Sequence, residues 1–127
     1  MVIILQVSDC LVVRVMVDTG SSVDILFKDA LDKFNLKSVM LNNCTSPLYG
    51  FTGDSVIPMG TIILPVTLGQ PPAQIKWFTK FLVVDTPSAY NIILARPFLV
   101  RTKSVLSIYH HVLKFPVRDS VRVIHGD

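Results

Sequence analysis

Residues 11–22 of this 127-residue chain read Leu-Val-Val-Arg-Val-Met-Val-Asp-Thr-Gly-Ser-Ser. A β-branched, apolar run from Leu11 to Val17 delivers one carboxylate, Asp18, straight into a turn. A carboxylate at the end of an apolar strand is costly unless hydrogen bonds or a chemical task hold it there. Thr19 and Ser21 place hydroxyls on either side of it. Gly20 permits tight or positive-φ backbone that brings N–H groups close to the carboxylate. The plain alternative is an exposed Asp in an ordinary strand-to-helix turn.

The rest of the chain narrows what that turn is set into. At this length it forms one domain, residues 1–127, with room for its own core. Half the residues are apolar and 17% are charged, which excludes a disordered tail. The net charge of +3 comes from Lys and Arg scattered without runs or interleaved aromatics, a solvated surface and not a nucleic-acid footprint. Cys10 and Cys44 belong to no CxxC or Cys/His cluster and are expected to be free thiols in a reducing, cytoplasmic setting. No apolar run approaches the roughly 18 residues that span a bilayer. Met1 to Leu5 lacks the charged start and cleavage site of a signal peptide and reads as a strand, so no membrane partner is expected.

Periodicity and turn residues divide the chain. Val2 to Val7 and Leu11 to Val17 are strands around Ser8-Asp9-Cys10. Beyond the Asp18 turn, Ser22 is placed as an N-cap. Val23, Leu26, Phe27, Ala30, Leu31 and Phe34 recur at helical spacing, with Asp24, Lys28, Asp29, Asp32 and Lys33 on the solvent face and Asn35 closing the helix. Leu36 to Ser46 is a polar connection. From Pro47 to Leu68, β residues alternate with Gly50, Gly53 and Gly60, a hairpin free to bend and detach and so suited to a lid. Gln70-Pro71-Pro72 is a loop, and Ile75 to Val84 is a strand with Trp77, Phe78 and Phe81 in the core.

Asp85-Thr86-Pro87 echoes Asp18-Thr19-Gly20, but proline removes a donor and fixes φ where glycine is needed, so it reads as a turn. Asn91 to Leu94 is a short buried strand, and Arg96-Pro97-Phe98-Leu99 opens a helix with proline near its first position. Val105 to Tyr109 and Val112 to Phe115 are the closing strands. His110 and His111 sit at the turn between them without further ligands at metal spacing. No metal and no cofactor is expected.

Val17-Asp18-Thr19-Gly20-Ser21-Ser22 resembles the active-site loop of aspartic proteases. Tyr90-Asn91-Ile92-Ile93-Leu94-Ala95-Arg96-Pro97-Phe98-Leu99 is similar to the apolar-apolar-Gly-Arg segment of retropepsins. Its Tyr-Asn prefix and Arg-Pro-aromatic-Leu ending are most like plant gypsy-type LTR retrotransposons. Leu48-Tyr49-Gly50-Phe51-Thr52-Gly53, followed by Pro58-Met59-Gly60, resembles their flap region. Order and spacing agree over nearly the whole chain, with one departure: Ala95 stands where the family has Gly.

The resemblance implies a mainly β fold, a closed retropepsin-like (acid protease) barrel with one or two short helices, forming a single lobe of a homodimer. It implies an aspartic endopeptidase that processes a polyprotein. Asp18 would be the catalytic carboxylate, Thr19 would bond across the dimer axis, and Gly20 would present backbone to an extended peptide. Ser21 would bond the outer carboxylate oxygen, and Ser22 would support the loop. Gly50, Phe51, Thr52, Gly53 and Asp54 would form the flap. Arg96 would tie its segment to the active-site loop or the helix after it; Asp24 is the nearest acid to pair with it.

Carboxylate-driven peptide hydrolysis uses two groups, one taking a proton from water and one donating to the carbonyl oxygen. In aspartic proteases the two carboxyls lie roughly 3 Å apart and share one proton. This chain has one Asp-Thr-Gly, so the second Asp18 must come from another copy across a two-fold axis. A Gly in place of Ala95 would be demanded by φ > 0 or by close backbone approach. On either ground Ala95→Gly is expected to raise activity or dimer affinity. Two other classes compete: a catalytically degenerate retropepsin-like fragment or peptide-binding module, which Ala95 favours, and a small nucleic-acid-binding barrel, which the sparse basic charge argues against.

Overall fold

The computed structural model describes residues 1–34, 48–49, 55–56 and 58–127. Strands β1 (Val2–Val7) and β2 (Cys10–Val17) form the expected hairpin, turning at Ser8-Asp9 with Ser8 in the left-handed region. Then follow β3 (Ile25–Phe27), α1 (Lys28–Leu31), β4 (Leu48–Tyr49), β5 (Ser55–Val56), β6 (Gly60–Gln70) and β7 (Ala73–Val84). The chain ends with β8 (Ile92–Leu94), α2 (Arg96–Arg101), β9 (Val105–Ser107), β10 (Val112–Val117) and β11 (Ser120–His125).

A closed barrel runs in the order β1-β2-β8-β3-β7-β6, and closure rests on Gln6↔Thr67 and Val7↔Val66. The long β6–β7 hairpin holds register from Gly60↔Val83 to Gln70↔Ala73. β8 lies parallel to β2 and antiparallel to β3, with Val17↔Leu94 at the end where Asp18 emerges. A second sheet, β11-β10-β9, and the β4–β5 pair complete the described elements.

The core follows the period-2 alternation of the strands. Ile3, Leu5 and Val7 of β1, Val15 and Val17 of β2, Leu64, Val66 and Leu68 of β6, and Phe81 and Val83 of β7 point inward. Ile92 and Leu94 of β8, with Leu113 and Phe115 of β10, join the same cluster. Between Ile3 and Leu5 the β1–β2 register shifts, and Arg14 takes φ 53. Asn91 holds that bulge. Its side-chain amide donates to the Val13 carbonyl at 2.7 Å and its N–H to the Arg14 carbonyl at 3.0 Å, while its own carbonyl accepts from Phe27 N–H. One residue thereby sets β2, β8 and β3 against each other.

Several expectations are corrected. The helix after the Asp18 turn shrinks to α1, and Ser22 does not cap it: the capping position is Phe27, with no side-chain bond. Ile25, Leu26 and Phe27 form a strand because the barrel has a slot for it, pairing them with Leu82–Val84 on one side and Ile92–Ile93 on the other. Pairing on both edges outweighs the local helical pattern. Leu26, Ala30, Leu31 and Phe34 are buried nonetheless, because the spacing suits strand plus short helix equally well. Lys28 and Asp32 form an exposed i,i+4 ion pair at 2.8 Å. Asp24, expected on the solvent face, is buried.

Phe78 is not core: it lies 61% exposed on the outer face of β7, out of phase with buried Thr79 and Phe81. The strand expected to reach Tyr109 ends at Ser107, and Ile108 and Tyr109 are exposed in the turn. β11 carries little signal in the sequence: its Arg118-Asp119 turn has no Gly or Asn, and its exposed Val121 and Val123 flank Arg122. Asn35, Cys44 and the flap residues Gly50, Phe51, Thr52, Gly53 and Asp54 lie outside the described residues.

Candidate active site

β2 and β8 run parallel, so both release their chains at the same rim of the barrel. There the Asp18 N–H donates to the Leu94 carbonyl at 2.9 Å, continuing the strand pairing by one residue into the turn. The Asp18 side chain is half-buried, and Thr19 and Gly20 are exposed. Asp18 Oδ1 accepts the Gly20 N–H at 2.9 Å, fixing one oxygen of the carboxylate. The φ of Gly20 is not in the left-handed region, but space is tight: a Cβ built on it would stand 3.3 Å from Asp18 Oδ1, so the carboxylate would have to give by a few tenths of an ångström.

Ser21 differs from expectation. Its hydroxyl donates to the Val23 carbonyl at 3.3 Å instead of to the outer oxygen of Asp18. Its carbonyl accepts both the Arg96 N–H at 3.2 Å and Arg96 Nε at 3.3 Å. Arg96 thus reaches the active-site loop through backbone, and Asp24 is not its ion-pair partner. Ser22 is exposed.

The acid that sequence reasoning misplaced is Asp24, 4% exposed, whose Oδ1 accepts the Ala95 N–H at 2.6 Å. Burial pushes its carboxyl up to about 6, against the opposing pull of the Ala95 and Phe98 amides and the Arg101 guanidinium. A charged residue inserted between Val23 and Ile25 was the available signal: an acid inside a β-branched run needs a reason to be there.

Ala95 itself is fully buried at φ −113, ψ −171, extended backbone open to any residue. Positive φ therefore gives no ground for expecting Gly there. It occupies the N-cap of α2 and carries no capping side chain; Pro97 sits in the first turn as expected.

Among the described residues no group of three or more His, Cys, Asp or Glu could hold a metal ion, and no helix is long and apolar enough to cross a membrane. The chain is similar in fold to the retroviral protease-like domain of Ddi1 from Leishmania major. The TM-score is 0.70 over 98% of this chain and 91% of that one. The fold is retropepsin-like. At 17% sequence identity the likeness concerns the fold alone. No family model and no curated protein matches the sequence.

Proposed function

We propose that two copies of this chain form an aspartic endopeptidase, each contributing Asp18 to one catalytic dyad. The observation that carries the reading is the placement of Asp18. It is a single half-exposed carboxylate at the barrel rim, with one oxygen fixed by Gly20 N–H and its backbone anchored to Leu94. In the dimer, one Asp18 takes a proton from water as the water attacks the peptide carbon, and the other, protonated, donates to the carbonyl oxygen. Neither carboxyl does both at once, so on this reading a lone lobe is inert; Thr19, exposed beside Asp18, would meet its copy across the two-fold axis. The substrate is an extended peptide, and the biological task is processing of a retroelement polyprotein of the plant gypsy type.

Asp18→Asn tests it. The substitution is nearly isosteric and leaves the fold intact, while loss of one acid–base group costs roughly 10²–10⁴-fold and both copies change together. A homogeneous Asp18→Asn protein that still cleaves fluorescein-labelled casein at the wild-type rate would remove the reading.

A further inference from the structure

Three consecutive residues, Leu94, Ala95 and Arg96, each bond to the segment carrying the active-site loop. Leu94 takes Asp18 N–H, Arg96 reaches the Ser21 carbonyl twice, and between them Ala95 N–H goes to the Asp24 carboxylate. The middle link differs in kind. Where a strand would offer a carbonyl, a buried side chain stands in, and it spans 71 residues of sequence. We propose that Asp24 is a positioning residue: its carboxylate locks the Leu94–Arg96 corner on which Asp18 hangs, and so sets the catalytic carboxyl across the dimer axis. This rests on the peptidase reading above.

The chemistry fits the position. Ala95 caps α2 but has no side-chain acceptor, so the orphan amides of the first turn must be met from elsewhere. Asp24 supplies a charged acceptor from β3's leading edge, and its own carbonyl accepts Leu82 N–H, tying the same residue to β7. Arg101, at the far end of α2, is the charged group that acts on it. A neutral residue would be easier to bury there. A short charge-assisted bond holds its geometry more tightly than a neutral one, and that tightness matters where a displacement of about 1 Å costs roughly 10²-fold in rate.

The test compares wild type with Asp24→Ala and Asp24→Asn, reading turnover of fluorescein-labelled casein and amide hydrogen exchange by NMR. Asp24→Ala is expected to lower kcat roughly 10²-fold, with KM little changed. It should speed exchange at Ala95 and Asp18 but not at Val66 in the β6–β7 hairpin. Asp24→Asn keeps an acceptor for Ala95 but sets a donor amide where the second oxygen stood. It should lower kcat by about 10-fold while raising stability above pH 6, a combination that a merely structural role would not give. Wild-type kcat in both variants, or faster exchange at Ala95 with Asp18 unmoved, overturns the proposal. If Asp24→Ala does not fold, Asp24→Asn decides by the same readouts. If casein cleavage proves independent of Asp18, the peptidase reading falls. Exchange at Asp18 then decides alone whether Asp24 holds the loop.

Discussion

Replacing Ala95 by Gly distinguishes a position that tolerates alanine from one that has lost a required glycine. The backbone at φ −113, ψ −171 is equally open to both residues, so glycine relieves no strain. The Ala95 N–H that reaches Asp24 is retained in the variant. What changes is one methyl group with no solvent exposure and the freedom of the unfolded chain. Removing a buried methyl costs about 0.8 kcal/mol in transfer free energy. The extra entropy of an unfolded glycine costs about 0.4–1 kcal/mol more. Together these give a loss of about 1–2 kcal/mol, which for a domain this size lowers Tm by roughly 4–8 °C. Urea titration should move the midpoint down with the slope m unchanged. Casein turnover at a temperature where both proteins are folded should be the same. An Ala95→Gly protein that is equally stable and turns over faster would refute this, showing a backbone-to-backbone approach that the methyl obstructs.

Gly20→Ala sets a methyl 3.3 Å from Asp18 Oδ1 and forces the carboxylate to shift by a few tenths of an ångström; kcat should fall by roughly 10-fold or more with stability nearly unchanged, and unaltered kcat would mean the loop adapts. Specific activity should fall on dilution as dimers separate, and added Asp18→Asn chains should inhibit wild type by forming mixed dimers; strict proportionality without such inhibition, in subunits shown to exchange, would rule out a shared dyad. Asp24 sits at about 6 when folded against an ordinary 3.8, so the proton-bound fold is favoured. That stabilisation is complete below pH 3.8 and lost as pH rises through 6, at most about 3 kcal/mol. Denaturant titrations between pH 4 and 8 should therefore show wild type losing stability relative to Asp24→Asn, and parallel curves would refute the burial argument.

Much of the barrel was legible because alternation leaves little freedom: the β1–β2 hairpin, β7, β8 and the proline-led α2 follow from local pattern. Where sequence reasoning failed, a distant partner had decided the outcome. Ile25 to Phe27 carry a helical pattern, and only the edges of β7 and β8 make them a strand. Phe78 and Trp77 are equally aromatic, and the phase of the pleat, set by pairing with β6, exposes one and half-buries the other. The Asp18 turn could be located from its residues, whereas Asp24 could not be assigned because its partner is a backbone amide with no sequence signature.

The contacts that build the rim have a kinetic consequence. Asp24 to Ala95 spans 71 residues and Arg96 to Ser21 spans 75, whereas the β6–β7 hairpin turns on Pro71-Pro72 and closes locally. Loop closure makes distant pairings slow relative to adjacent ones. Leu68↔Ile75 and Gly69↔Gln74 pair at the turn end of this hairpin, and exchange protection of their amides reports it. In refolding from urea, that protection, followed by pulse labelling, should reach the native value before casein-cleaving activity does, even at concentrations where dimerisation is fast. Simultaneous recovery would show that hairpin and rim form in one step. If the lag is present, a newly made chain passes through a stage in which the β6–β7 hairpin exists while the Asp18 turn has no β8 to hang on, so any chemistry that depends on that turn would stay silent until residues 94–96 have docked.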